Sequence, residues 1–200
     1  NHPINGGRGT LNCGAATGVA AAAPGYLHTA PVTGNSAAAN NLVQFNHTST
    51  DGTYTFAPDL AGSLRLVHTA GDTTLTGHNT HTGGTTINGG TLRAGSATAL
   101  GSGAFTLNAG VLDLNNFNFT PTSFTFTGGT LGLGTTTFTA AVVSDTTYAG
   151  AITGTGGLIK LGVGTLTLVA ANTYTGAPTV SAGTLALGGD HALAAANSIS

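Results

Sequence analysis

Six aspartates hold all the carboxylate side chains this chain has: Asp51, Asp59, Asp72, Asp113, Asp145 and Asp190, with no glutamate. Glycoside hydrolysis needs two carboxylates held at a fixed separation. These six are dispersed, and several stand beside Gly or Asn, where an aspartate side chain caps a turn. His78-Asn79-Thr80-His81 has an H-x-x-H spacing that would hold a metal if both rings faced one way. On a strand, positions three apart point to opposite sides. Cys13 is the only cysteine, so no intrachain disulfide exists, and it reads as a small buried residue rather than a nucleophile. No G-x-S-x-G elbow is present to mark a serine nucleophile. The expectation is no catalytic residue, no metal ligand and no cofactor.

Three other residue sets suggest surface chemistry. Thr-x-Thr pairs recur at Thr74/Thr76, Thr80/Thr82, Thr125/Thr127, Thr165/Thr167 and Thr173/Thr175. A flat ladder of such pairs would order water, but it needs one pair per layer, and these separations are irregular. Tyr54, Tyr148 and Tyr174 would make an adhesive stripe if exposed and aligned. Asn79 and Asn172 are expected to satisfy backbone groups at corners rather than to bind glycan.

The elements that carry these residues follow from a segment present twice. Asn79-Thr80-His81-Thr82-Gly83-Gly84-Thr85-Thr86-Ile87-Asn88-Gly89-Gly90-Thr91-Leu92 returns as Asn172-Thr173-Tyr174-Thr175-Gly176-Ala177-Pro178-Thr179-Val180-Ser181-Ala182-Gly183-Thr184-Leu185, offset by 93 residues without a gap. Such self-similarity marks a solenoid, whose units bury apolar surface only by stacking. A shorter echo starts at Asn88, Asn108 and Thr127: a polar residue, two small ones, Thr or Val, Leu, any residue, then an apolar one. A period of about 20 residues suits one coil of a three-sided parallel β-helix. The small pair would turn the corner with φ > 0. The two apolar positions, two apart, would face inward.

Composition agrees. Charged residues are 5% of the chain, against roughly 25% in an ordinary domain. The sequence holds 38 Thr and 33 Gly, which favour extended backbone and corners. Arg8, Arg65, Arg93 and Lys160 are scattered and the net charge is −2, so there is no electrostatic footprint for nucleic acid or an anionic membrane. No apolar run is long enough to cross a bilayer as a helix.

Residues 1–40 read as irregular or degenerate N-terminal coils, with a degenerate coil at Ile4–Leu11 and a short helical turn or a loop at Ala20–Pro24, ended by Pro24-Gly25. Residues 41–200 read as a β-helix segment, with repeats at about 64–95 and 157–188. Expected strands include Leu42–Asn46, Asn118–Thr120, Phe124–Thr127, Thr136–Ala140, Ala141–Val143, Leu158–Leu161 and Gly164–Leu168. About ten coils are expected. Ala192–Ser200 is placed like the start of another unit, so the chain reads as a fragment of a longer rod.

Gly156-Gly157-Leu158-Ile159-Lys160-Leu161-Gly162-Val163-Gly164-Thr165-Leu166-Thr167-Leu168, followed by Asn172-Thr173-Tyr174-Thr175-Gly176 and Gly183-Thr184-Leu185, resembles the passenger-associated transport repeat of bacterial autotransporters (type V secretion). Leu75 through Leu92 fits too, with His81 where the family usually has Tyr. The resemblance covers roughly residues 40–200. It implies an all-β fold, a right-handed single-stranded parallel β-helix. It also implies export behind a signal peptide, passage through a C-terminal outer-membrane β-barrel of the same precursor, and a location at the cell surface or outside the cell. The expected role is a non-catalytic stalk that supports secretion and folding. The alternatives are an adhesin-type module binding a host surface, a glycan or itself, and, behind that, a carbohydrate-active enzyme on the same fold. Neither nucleic acid nor a small-molecule substrate is expected as a partner.

Overall fold

A computed structural model describes residues 10–15, 23, 31–34, 41–189 and 193. The strands, in chain order, are β1 Thr10–Gly14, β2 Val32–Gly34, β3 Leu42–Asn46, β4 Thr55–Phe56, β5 Leu60–Gly62, β6 Arg65–Ala70, β7 Asp72–Leu75, β8 Thr85–Ile87, β9 Thr91–Ala94 and β10 Phe105–Leu107. They continue as β11 Val111–Asp113, β12 Phe124–Phe126, β13 Thr130–Gly132, β14 Phe138–Ala141, β15 Thr146–Tyr148, β16 Ala151–Thr153, β17 Leu158–Leu161, β18 Thr165–Leu168, β19 Thr179–Val180 and β20 Thr184–Leu187. The described residues contain no helix, and the strand pairs are parallel.

The fold is a β-solenoid of about seven turns. One side is the sheet β1-β3-β6-β8-β10-β12, and a second is β4-β7-β9-β11-β13-β16. The sheet β15-β18-β20 carries the first side onward through the Ala149 N–H, which donates to the Phe126 carbonyl at 2.8 Å. The third side holds β2-β5 and β14-β17-β19. Between them its backbone is laddered without regular strands, as where Thr80 N–H donates to Leu60 O at 2.7 Å and Ser102 N–H to His81 O at 3.1 Å. Thr85 pairs with Phe105 and Phe105 with Phe124, steps of 20 and 19 residues. The coil from β1 to β3 is longer, since Thr10 pairs with Leu42. That longer coil is one reason there are fewer turns than a uniform 20-residue period predicts.

The core consists of columns. Leu92, Leu112, Leu131 and Ile152 pair in register across four strands, each with no exposed surface. Burying one such side chain contributes roughly 2 kcal/mol. Further along, Phe105, Phe124, Phe126 and Tyr148 pack edge-on or stacked with ring centroids 5.5–5.7 Å apart. The corner between the first two sides is a glycine column. Gly90, Gly110 and Gly129 have φ of 67°, 77° and 81°, and a Cβ at any of them would strike a carbonyl of the coil before. Only glycine takes this turn without strain.

Three local expectations change. Asn118–Thr120 is not a strand, although Phe119 is buried beneath it. Thr136–Ala140 and Ala141–Val143 are not two strands: only Phe138–Ala141 pairs, and Val143 lies outside it, 76% exposed. The Ile4–Leu11 coil, the Ala20–Pro24 turn and the Ala192–Ser200 unit fall wholly or largely outside the described residues.

Candidate functional site

The polar side chains inside the solenoid come from the same alternation that fills its core. Phe45, His68, Ile87, Leu107 and Phe126 form one column in register. His68 therefore sits where its neighbours are apolar, and it is fully buried. Lys160 is on the inward side of β17 with Leu158, also fully buried. His47 and His81 are buried as well.

These groups are held by local partners. His47 Nε2 lies 2.8 Å and His68 Nε2 3.1 Å from the Thr73 hydroxyl, and His68 Nδ1 lies 2.8 Å from the Gly89 carbonyl. His81 Nε2 lies 3.0 Å from Thr85 Oγ1. The Lys160 ammonium donates to the carbonyls of Leu161, Gly162 and Ala182 at 2.8, 2.7 and 3.1 Å. Three donors meeting three acceptors leave this ammonium bound to backbone rather than to any ligand. Burial pushes His68 and His81 down to about 4, and lowers His47 and Lys160. Burial pushes the Cys13 thiol up to about 11, so it stays a protonated, unreactive thiol at neutral pH.

The residues with chemical potential are not gathered. His78 is exposed and His81 buried, so the H-x-x-H pair faces opposite ways. No group of three or more His, Cys, Asp or Glu able to hold a metal exists among the described residues. Each described carboxylate but Asp72 holds nearby chain. Asp51 accepts from Ser49 Oγ, Thr53 Oγ1 and Thr53 N–H, and the Thr53 hydroxyl bond holds it below its usual range. Asp59 accepts from His78 N–H and Asp145 from Thr165 N–H. Asp113 pairs with Arg93 at 2.8 Å, half-exposed, which contributes little. Asp190 lies outside the described residues.

Asn79 and Asn172 do the structural work expected of them. Asn79 Oδ1 accepts from Leu60 N–H at 2.8 Å and its amide donates to Ala99 O at 2.5 Å. Asn172 Oδ1 accepts from Ile152 N–H at 2.8 Å. The two are not on one side of the rod. Asn79 bridges to β5 on the third side and Asn172 to β16 on the second. The copies are displaced by one side because 93 residues is not a whole number of coils of about 20.

The exposed tyrosine stripe is overturned. Tyr54, Tyr148 and Tyr174 are at most 2% exposed and contribute to the core. The Thr pairs are spread over all three sides, with Thr125 on β12 of the first, Thr74 on β7 of the second and Thr80 beside Leu60 on the third, so they make no single ladder. The buried His47, His68 and Lys160 went unread in the sequence. Their signal was present: each stands two residues after Phe45, Leu66 and Leu158, on the same inward side.

Stacked parallel coils of about 20 residues, with polar side chains bonded within the rod, define a β-helical repeat protein. The family model of the passenger-associated-transport-repeat matches residues 70–94 and 158–187. Over 143 residues, 66% of this chain, the sequence is 40% identical to "Adhesin BmaC autotransporter" of Brucella suis biovar 1 (strain 1330). The chain spans 4% of that protein's length. No solved structure matches. These matches support an autotransporter passenger with repeats of this kind, which implies export through the outer membrane to the cell surface or extracellular space.

Proposed function

We propose that this segment is a non-catalytic stalk of a surface-displayed passenger, supporting its secretion and folding and spacing the rest of the passenger from a C-terminal β-barrel of the same precursor. The carrying observation is how the buried polar groups are used. Asn79, Asn172 and Lys160 bind backbone of their own or adjacent coils, and the described carboxylates do not converge. Parallel stacking of successive coils supplies a surface-folding route that adds one layer at a time. Binding to a host surface, a glycan or like chains is the second reading, favoured by the relative's name as an adhesin.

The test uses the purified 200-residue chain as a competitor. Host cells are incubated with bacteria displaying the whole passenger, with and without excess segment. A stalk leaves adhesion unchanged, while its deletion from the precursor lowers surface display. Competition by the segment, or its direct retention on cells, matrix or itself, would replace the stalk reading with the binding one.

A further inference from the structure

We propose that the coils holding His47, His68 and His81 are an acid-triggered opening point in the rod: on acidification these coils unlatch while the coils from β14 to β18 stay closed. This does not rest on the stalk reading.

The geometry sets the proton positions. His68 Nδ1 faces a carbonyl, Gly89 O, so Nδ1 carries the hydrogen and Nε2 is an acceptor. Thr73 O–H therefore donates to His68 Nε2, and His47 Nε2–H donates to Thr73 Oγ1. His47 Nδ1 is left as a buried lone pair without a hydrogen-bond partner. A related arrangement stands at the corner between the third and first sides. Thr85 O–H donates to Leu100 O, His81 Nε2–H donates to Thr85 Oγ1, and His81 Nδ1 is again buried without a partner. Each ring is covered by a positive-φ glycine of a following coil. A Cβ at Gly71, Gly90 or Gly101 would overlap His47, His68 or His81.

A second proton is poorly accommodated on each ring. Protonating His47 or His81 puts an N–H on a nitrogen with no acceptor. Protonating His68 turns Nε2 into a donor to Thr73 Oγ1, which then accepts from both rings while its own hydrogen loses the acceptor it had. A buried donor without an acceptor is costly. The surroundings offer little compensation. Asp72 is the described charged group whose field reaches His47 and His68, and the two rings oppose each other's charging. Tyr54 and Phe45 bring aromatic rings, with centroids 4.7 Å from that of His47 and 6.0 Å from that of His68. No charged group among the described residues offsets the burial of His81. Between His81 and residue 189 there is no further histidine, so β14 to β18 lack the device. In a solenoid each coil contacts only its neighbours, so one stretch can open alone.

Burial lowers His68 and His81 from 6.5 to about 4. At pH 4.5 that shift raises the open population by about 70-fold for each ring relative to neutral pH. The experiment is hydrogen exchange of the intact 200-residue chain, read as protection factors at pH 7.5 and pH 4.5. Protection across 65–107 is expected to fall at least a hundredfold, and across 138–168 less than tenfold. The variant His47→Gln/His68→Gln/His81→Tyr, whose Tyr copies the second repeat, is expected to lose less than tenfold in both. Equal losses in the two stretches, or an unchanged loss in the variant, would overturn the proposal. Should the variant not fold, imidazole carbon-13 resonances of the unaltered chain decide. All three buried rings must stay neutral until protection at 65–107 is lost. A ring that protonates near pH 6.5 with that protection intact overturns it.

Discussion

Asn79 and Asn172 show how one side chain can close a gap in a ladder. Each offers its Oδ1 to a buried backbone N–H of the previous coil, on Leu60 and Ile152. Asn79→Ala or Asn172→Ala would leave that N–H unpaired, at a cost of about 1–3 kcal/mol. Urea unfolding should show a lower midpoint for either variant with an unchanged slope. The equivalence of these residues was legible in the repeat. Their partners were not, because a partner 19 or 20 residues away is fixed by coil length and side.

At the scale of the element, a coil is made of short inward columns and tight corners. Leu112 stands between Leu92 and Leu131, all fully buried. Leu112→Ala is expected to cost about 2–5 kcal/mol, because a column fixed above and below cannot collapse around the cavity. Gly110 holds φ of 77° and a Cβ there would run into Gly90 O. Gly110→Ala should cost about 2 kcal/mol through that strain. Thermal melting of both variants measures these losses. The Leu and Gly positions were readable from the short echo alone. The third side was harder to read. Asn118-Phe119-Thr120 has a strand's alternation, yet only Phe119's burial is used and no ladder forms.

The whole molecule is a stack, so its length can change in units of one coil. Deleting residues 108–126 joins Leu107 to Thr127 and sets β13 against β9 in the register that β11 held. That variant should remain folded, with β-type circular dichroism and a cooperative melt. Deleting 108–117 removes half a coil and turns later strands onto the wrong side, so it should lose cooperativity. Acid acts at this scale too. The unfolded imidazole binds its proton at about 6.5, and folded His68 and His81 at about 4. The unfolded chain then holds more protons, so stability complete above 6.5 is lost as pH falls through 4. The loss is about 3 kcal/mol for each ring. Urea midpoints measured at pH 7.5 and 4.5 check the sign.

What the sequence by itself determined was the repeat, the coil length, the glycine corners and the alternation that makes this an all-β solenoid. These are local properties, set by φ, by side-chain direction along a strand and by a period of about 20. Only the tertiary structure decided which side each copy of the repeat occupies, because that side depends on the length of every coil along the way, and coils differ, from 32 residues between Thr10 and Leu42 to 19 between Phe105 and Phe124. It also decided that His47, His68 and Lys160 are interior. Alternation placed them inward, but only the coils stacked above and below supply the hydroxyls and carbonyls that make a buried imidazole or ammonium tolerable.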